Sequence, residues 1–175
     1  FKAWQIRQID KLGVEVRLNV CATPELVKAE GFDVVLVAVG SEPNIPDIPG
    51  AFGANVHMPI SVYGHHSRLG ENVVVIGGSE TGTETGLYLA MNGHKVTVLT
   101  RQGVLAPEAA QVHYVEMLHN ACKREPNFSH IIHATTTRID PDGVVYVDGK
   151  GREHKLTCDD VVLSGGVKPR IEQAM

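Results

Sequence analysis

Cysteine is scarce in this 175-residue chain, and Cys21, Cys122 and Cys158 stand far apart. Three isolated thiols supply neither a disulfide framework nor a CxxC metal or redox motif, so a reducing, cytoplasmic compartment is expected. Clustered cations are also missing. The 16 Lys and Arg are scattered singly against 20 Asp and Glu, for a net charge of −4, which argues against a nucleic-acid surface or an anionic-membrane patch. No apolar run nears the roughly 18 residues of a bilayer-spanning helix; among the longest are Val34–Val39 and Val73–Ile76. Neither a nucleic-acid nor a membrane partner is expected. Phe1 follows no initiator methionine or signal peptide, and the chain reads as a piece of something longer.

What is present is the composition of a folded chain, 43% hydrophobic and 21% charged, sized for one domain or one domain plus part of another. The 18 glycines, roughly 10% of the chain against a usual ~7%, gather at strand ends, where tight turns and ligand cradles form. Trp4, Ile6, Ile9 and Leu12 have helical spacing stopped by Gly13, and Val14–Leu18 then alternates as a strand does. Thr23 before Pro24 predicts an N-cap and a short helix to Glu30, ended by Gly31. The run Phe32–Gly40 suits a strand buried on both faces of a parallel sheet. Ser41–Gly53 holds Pro43, Pro46 and Pro49 and reads as a linker.

From Asn72 the pattern predicts a strand over Val73–Ile76, a glycine turn, a helix from about Gly82 to Asn92 and a second strand over Lys95–Leu99, completing a βαβ unit. A further helix is expected over Pro107–Lys123, with Val112, Val115, Leu118 and Cys122 as its apolar stripe and Glu108 in its first turn. Phe128–Ile139, Val144–Val147 and Glu153–Thr157 are expected to form a three-stranded meander joined by Asp-Pro-Asp-Gly and Asp-Gly-Lys-Gly turns. Val161–Leu163 returns as a buried strand. The fold class is therefore α/β, a Rossmann-like doubly wound parallel sheet, with helices on both faces, plus a three-stranded β-meander.

The chemistry concentrates at Gly77-Gly78-Ser79-Glu80-Thr81-Gly82, between a buried strand and a helix. That context fits the dinucleotide fingerprint: Gly77 makes the tight turn, the third residue admits a pyrophosphate, Gly82 allows close helix–strand packing, and the phosphates sit at the helix N-terminus. Ser79 occupies the place of the middle glycine, where its Cβ and hydroxyl either crowd a pyrophosphate or hydrogen-bond to it. The alternative is a tight βα turn without a ligand. An NAD site usually carries a carboxylate at the end of the second strand, whereas this strand ends Thr100-Arg101. Arg101 suits a 2′-phosphate, favouring NADP over NAD, or else is a solvated loop cation. His130 and His133 lie on opposite faces if Ser129–Thr137 is a strand, so no metal site is expected. His65-His66 reads as a polar loop pair between elements, His113 and His119 as solvated, and Cys122 and Cys158 as packed thiols.

These segments resemble the pyridine nucleotide-disulfide oxidoreductases, flavoproteins with two dinucleotide-binding domains. Phe32–Pro43, continued by Ile45-Pro46-Asp47-Ile48-Pro49-Gly50, resembles the strand and Ile-Pro-Gly linker by which such chains leave the flavin domain, with Val39 in place of the usual Thr. Gly77–Glu84 resembles the family's nicotinamide-nucleotide fingerprint, and Asp159–Pro169 the strand and Gly-x-x-Pro turn that re-enter the flavin domain. Trp4–Asn19 resembles, more narrowly, the old-yellow-enzyme-like NADH:flavin oxidoreductases of the 2,4-dienoyl-CoA reductase and trimethylamine dehydrogenase type. The resemblance implies a partial FAD-binding domain and linker over 1–69, an NAD(P)-binding domain over 70–165 and the start of the return over 166–175. It places Gly40 and Gly166 with the flavin and Glu84 as the active-site glutamate near the nicotinamide, where residue chemistry alone allows simple dipole stabilisation. NADP or NAD would be this chain's own cofactor, with FAD, FMN and an iron-sulfur cluster confined to the full-length parent flavoprotein, because the first glycine fingerprint is missing. The isolated chain would dock nucleotide without turnover. A non-catalytic domain holding ADP is the alternative.

Overall fold

The computed structural model describes residues 1–107, 112–170 and 172. It divides into two compact units, Phe1–Val39 with Arg170, and Gly40–Pro169.

In the first unit, α1 spans Lys2–Lys11 and α2 Pro24–Glu30. The start of α2 follows from Thr23, whose hydroxyl accepts the Leu26 N–H at 3.3 Å, with Pro24 pre-setting φ behind it. Gly31 ends the helix at φ +68° in the left-handed region. Arg17 bridges Glu15 and Glu30 at 2.7 Å each on the surface. Two expected strands do not form: Val14–Leu18 and Phe32–Gly40 are irregular. Their patterns encode the faces of a strand, but a strand also needs a neighbour for its N–H and C=O groups, and no described residue pairs with either segment. Val34 and Leu36 are accordingly 75% and 89% exposed.

The second unit opens with β1, Ser41–Pro43, which pairs antiparallel with β10, Val167–Pro169, so the proline-rich linker forms only a short ribbon. A parallel sheet follows in the order β2, β9, β3, β4, β5, built from Val56–His57, Asp160–Leu163, Asn72–Ile76, Lys95–Leu99 and Phe128–Ile131. Ile76 faces Leu99 on one side and Leu163 on the other, so the expected βαβ unit is present with β3 central. Helices α3, Pro59–Val62, and α4, Glu80–Met91, cover one face, packing Val62, Leu89 and Ala90 on Val73, Val75, Val96, Val98 and Val162. Helix α5, Val112–Arg124, buries Leu118 and Cys122 beside Ala106, with Leu87 and Phe128 packed on them. Glu108 lies outside the described residues.

Among the described residues the other face carries the meander in place of the helix layer expected there. There the three-stranded meander, β6 Thr135–Asp140, β7 Gly143–Val147 and β8 Glu153–Thr157, lays Ile139, Val144 and Tyr146 over Val74, Ile76, Leu99, Val161 and Leu163. The expected single strand Phe128–Ile139 is two, because His133 at φ +52° turns the chain after β5. Its first part joins the parallel sheet as an edge strand and its second joins the meander. The Asp148 carboxylate clamps the last meander turn: it accepts from His154, from Arg152 and from the Lys150 N–H, which together hold it well below the usual carboxylate range.

Leu89 is fully buried where α4 meets the sheet. Leu89→Ala should cost about 2–5 kcal/mol, read as a lower denaturation midpoint at unchanged slope in urea.

Candidate functional site

The open end of the parallel sheet, where β3, β4 and β9 finish, carries a cleft of about 540 Å³. Crevices outside the carboxyl ends of parallel strands are where open α/β sheets bind ligands. Gly77 sits there at φ +109°, and a Cβ on it would overlap the Ser164 carbonyl oxygen of the neighbouring strand. A Cβ on Gly78 would lie 2.7 Å from the Thr100 Cβ and 2.9 Å from Leu105 Cδ2. On Gly82 it would overlap the Gly77 carbonyl oxygen. At Gly77 and Gly82 the cradle is therefore backbone pressed on backbone, and at Gly78 it is backbone pressed on the Thr100 and Leu105 side chains.

Helix α4 starts at Glu80, two residues earlier than the glycine pattern suggests, because Ser79 is its N-cap and accepts the Gly82 N–H at 3.4 Å. The Ser79 hydroxyl thus turns back on the helix. The Thr83 N–H returns to the Ser79 carbonyl at 2.9 Å. The N–H groups of Glu80 and Thr81 have no partner among the described residues, and orphan N–H groups at a helix start favour an anion. A second glycine that admits close helix–sheet packing is Gly86, which the fingerprint does not include: a Cβ there would lie 2.8 Å from Val98 Cγ2. Its four-residue spacing from Gly82 on one helix face was the available signal.

Thr100 is buried at the end of β4, where its hydroxyl accepts the Gln102 N–H at 3.2 Å and its carbonyl accepts from Ala134 at 2.8 Å. Arg101 is exposed on the cleft rim. No Asp or Glu lines the cleft, and Arg101 is its one charged residue among those described. One wall comes from the linker: Asn44 donates its side-chain N–H to Gly165 O at 3.0 Å and its backbone N–H to Gly166 O at 2.9 Å, bringing Pro46 and Ile48 to the cleft. The prolines signalled a linker but carried no sign of this role.

Gly77, Gly78, Ser79, Thr100, Arg101 and Gly166 line the cleft together. Glu80, Thr81 and Gly82 form the helix start behind it, whereas Gly40 and Glu84 do not line it. Half-buried on α4, Glu84 accepts a hydrogen bond from the Tyr114 hydroxyl of α5. That bond, then burial, pushes the Tyr114 phenol up to about 12. Nothing in the sequence marked Tyr114.

His119 is not simply solvated: its Nε2 lies 2.8 Å from the Leu105 carbonyl, pinning the loop that touches Gly78. Burial pushes the Cys122 and Cys158 thiols up to about 11, as packed thiols require. Among the described residues no cluster of three or more potential ligands can hold a metal ion, and no helix is long and apolar enough to cross a membrane.

The sequence matches the pyridine nucleotide-disulphide oxidoreductase family over residues 6–174. The chain belongs to that family, in which FAD and NAD(P)H are the redox cofactors. It is 34% identical over 173 residues to an NADH oxidase from Thermoanaerobacter brockii, covering 97% of this chain and 26% of that protein. A bilirubin reductase from Mediterraneibacter gnavus is 30% identical over 166 residues, covering 94% and 25%. The solved complex of 2-naphthoyl-CoA reductase with 2-naphthoyl-CoA superposes with a TM-score of 0.85 at 29% identity, over 98% of this chain and 26% of that one. The chain thus spans about a quarter of the length of these relatives.

The glycine cradle and the orphan N–H groups fit the pyrophosphate of a dinucleotide. For a flavin the described residues hold no second strand–glycine–helix turn; Gly40 and Gly166 lie at the β1–β10 ribbon instead. In an alkaline titration one tyrosine should ionise near 12, and Glu84→Gln should bring it back toward the phenol's usual ~10. Because the folded value is raised, the Tyr114 contribution to stability is complete below about pH 10 and is lost as pH rises through about 12.

Proposed function

We propose that this chain is the nucleotide-binding part of a flavin-dependent NAD(P)H oxidoreductase, with 70–165 as its NAD(P)-binding domain, 1–69 as part of the flavin domain with its linker, and 166–175 as the return. The observation that carries the reading is the backbone cradle of Gly77, Gly78 and Gly82 at the sheet's open end, where added side chains would overlap main-chain or neighbouring atoms. Glu80 and Thr81 N–H groups hold the pyrophosphate, Ser79 caps the helix that presents them, and Thr100 with Arg101 receives the adenine-side ribose. Glu84 stands toward the nicotinamide and accepts from its carboxamide, since an ionised carboxylate can only accept. Gly40 and Gly166 mark where the chain leaves and re-enters the flavin domain. The cofactors supply hydride transfer from nicotinamide C4 to flavin N5, and this chain's residues position the donor and limit water.

The subfamily we propose is the old-yellow-enzyme-like NADH:flavin oxidoreductases, supported by the Trp4–Asn19 segment and by relatives about four times this chain's length. FMN, FAD and an iron-sulfur cluster belong to the parent protein in this reading, and the chain alone has no turnover.

A cleft with one cation and no carboxylate favours a 2′-phosphate over a bare 2′-hydroxyl. A charge-assisted contact contributes about 1.5–3 kcal/mol, so NADPH should bind the 175-residue chain about ten- to a hundredfold more tightly than NADH. Calorimetric titration with both nucleotides measures this, and Arg101→Ala should remove most of the difference. Equal or tighter NADH binding returns Arg101 to the solvated surface. Binding of ADP without either dinucleotide makes a structural ADP-holding domain the better account, with the Ser79 Cβ as its cause.

A further inference from the structure

Of the chain's four tyrosines, Tyr88 is part of α4 while Tyr63 and Tyr114 reach that helix from other segments. Tyr63 reaches Thr85 Oγ1 at 3.0 Å, and its ring lies 4.8 Å from that of Tyr88, whose hydroxyl accepts the Gly64 N–H at 3.2 Å. Those two brace the helix against the loop after α3. Tyr114 differs in its partner, because it comes from α5 and its hydroxyl donates to Glu84 Oε1, the one carboxylate oxygen of that helix engaged by another described element. Oε2 of Glu84 accepts from no described residue.

We propose that Tyr114 is a positioning residue: its phenol O–H fixes the Glu84 carboxylate in one rotamer, with Oε1 occupied and Oε2 left to accept from the nicotinamide carboxamide. The inference rests on the nucleotide-docking reading above and adds to it the group that holds Glu84. A glutamate on a helix surface has three rotatable bonds, and a ligand that uses it must otherwise supply the ordering at the moment of binding. Here the ordering is already present in the free chain. No proton moves in this arrangement. The hydroxyl keeps its hydrogen and the carboxylate its charge. The charged or titratable groups that bear on Tyr114 are Glu84, Glu80 and Tyr63, and all of them favour the neutral phenol that the hydrogen bond needs.

The test compares two probes on the same 175-residue chain, NADPH and 2′-phospho-ADP-ribose, which has the same phosphates and adenosine but no nicotinamide. Tyr114→Phe keeps the ring and removes only the donor. It should weaken NADPH binding about three- to tenfold, the size of one lost hydrogen bond, and leave 2′-phospho-ADP-ribose binding as it was. Glu84→Ala should weaken NADPH at least as much, and adding Tyr114→Phe to it should change nothing further, since the tyrosine acts only through the Glu84 side chain. The 3-acetylpyridine analogue of NADPH, which lacks the carboxamide N–H groups, should not distinguish Tyr114→Phe from the unaltered chain. If Tyr114→Phe weakens both probes alike, or neither, or adds its full effect on top of Glu84→Ala, the proposal is overturned. If the unaltered chain binds neither probe, the nucleotide-docking reading itself fails, a result separate from the others.

Discussion

Three stretches of main chain meet at the end of β3 with no space for a side chain between them. Gly77 lies against the Ser164 carbonyl, and Gly82 against the carbonyl of Gly77. Because each contact is to backbone, relief by a rotamer change is closed, and any Cβ would have to push a strand or the helix away. The Gly77 contact lies where β3 runs beside β9, with Ile76 opposite Leu163, and α4 begins three residues after Gly77. At this turn the Glu80 and Thr81 N–H groups have no partner among the described residues, and the Ser79 hydroxyl accepts the Gly82 N–H as the helix cap. The cleft follows from these contacts rather than from specialised side chains.

Charge is then distributed around that geometry. The chain carries a net −4, yet the cleft contains no carboxylate and a single arginine. Glu80 and Glu84, four residues apart on α4, do not line it. Glu80 in the first turn stabilises the helix through its dipole without competing with an anion for the orphan N–H groups. Glu84 is tied to α5 through Tyr114. The described lining of the cleft thus carries one positive charge although the chain's net charge is negative, and more distant charges are screened by solvent ions within about 8–10 Å.

What was legible in the sequence is what local pattern fixes. Val73–Ile76, the glycines after it and Lys95–Leu99 formed a contiguous signal, and the structure has the βαβ unit with matching strands. Thr23-Pro24 and Gly31 marked both ends of α2 for the same reason. Features that need a distant partner were not legible. Phe32–Gly40 has the composition of a central strand but no neighbour among the described residues to make it one. The break between β5 and β6 falls at His133, a left-handed residue without the glycine that usually announces such a turn. In the site, the cradle and the Arg101 rim could be read directly from spacing. The linker wall at Asn44, the helix–sheet contact at Gly86 and the Tyr114–Glu84 pair arise from segments that meet only after folding.

The two units also differ in how far they satisfy themselves. Gly40–Pro169 closes a core on both faces of its sheet, one under α3 and α4 and one under the meander. In Phe1–Val39 neither helix buries a residue, and Val14, Val16, Leu18 and Val20 stand exposed alongside Phe32 and Leu36. Helices of ten and seven residues are too short to persist in water on propensity alone and need an apolar face to be covered. The apolar spacing that reads as helix and strand in this segment is therefore a statement about surfaces that must be buried to be stable. The same spacing in Gly40–Pro169 is met within the chain. The lining of the cleft comes wholly from Gly40–Pro169, so its geometry does not depend on the apolar surface that Phe1–Val39 leaves exposed.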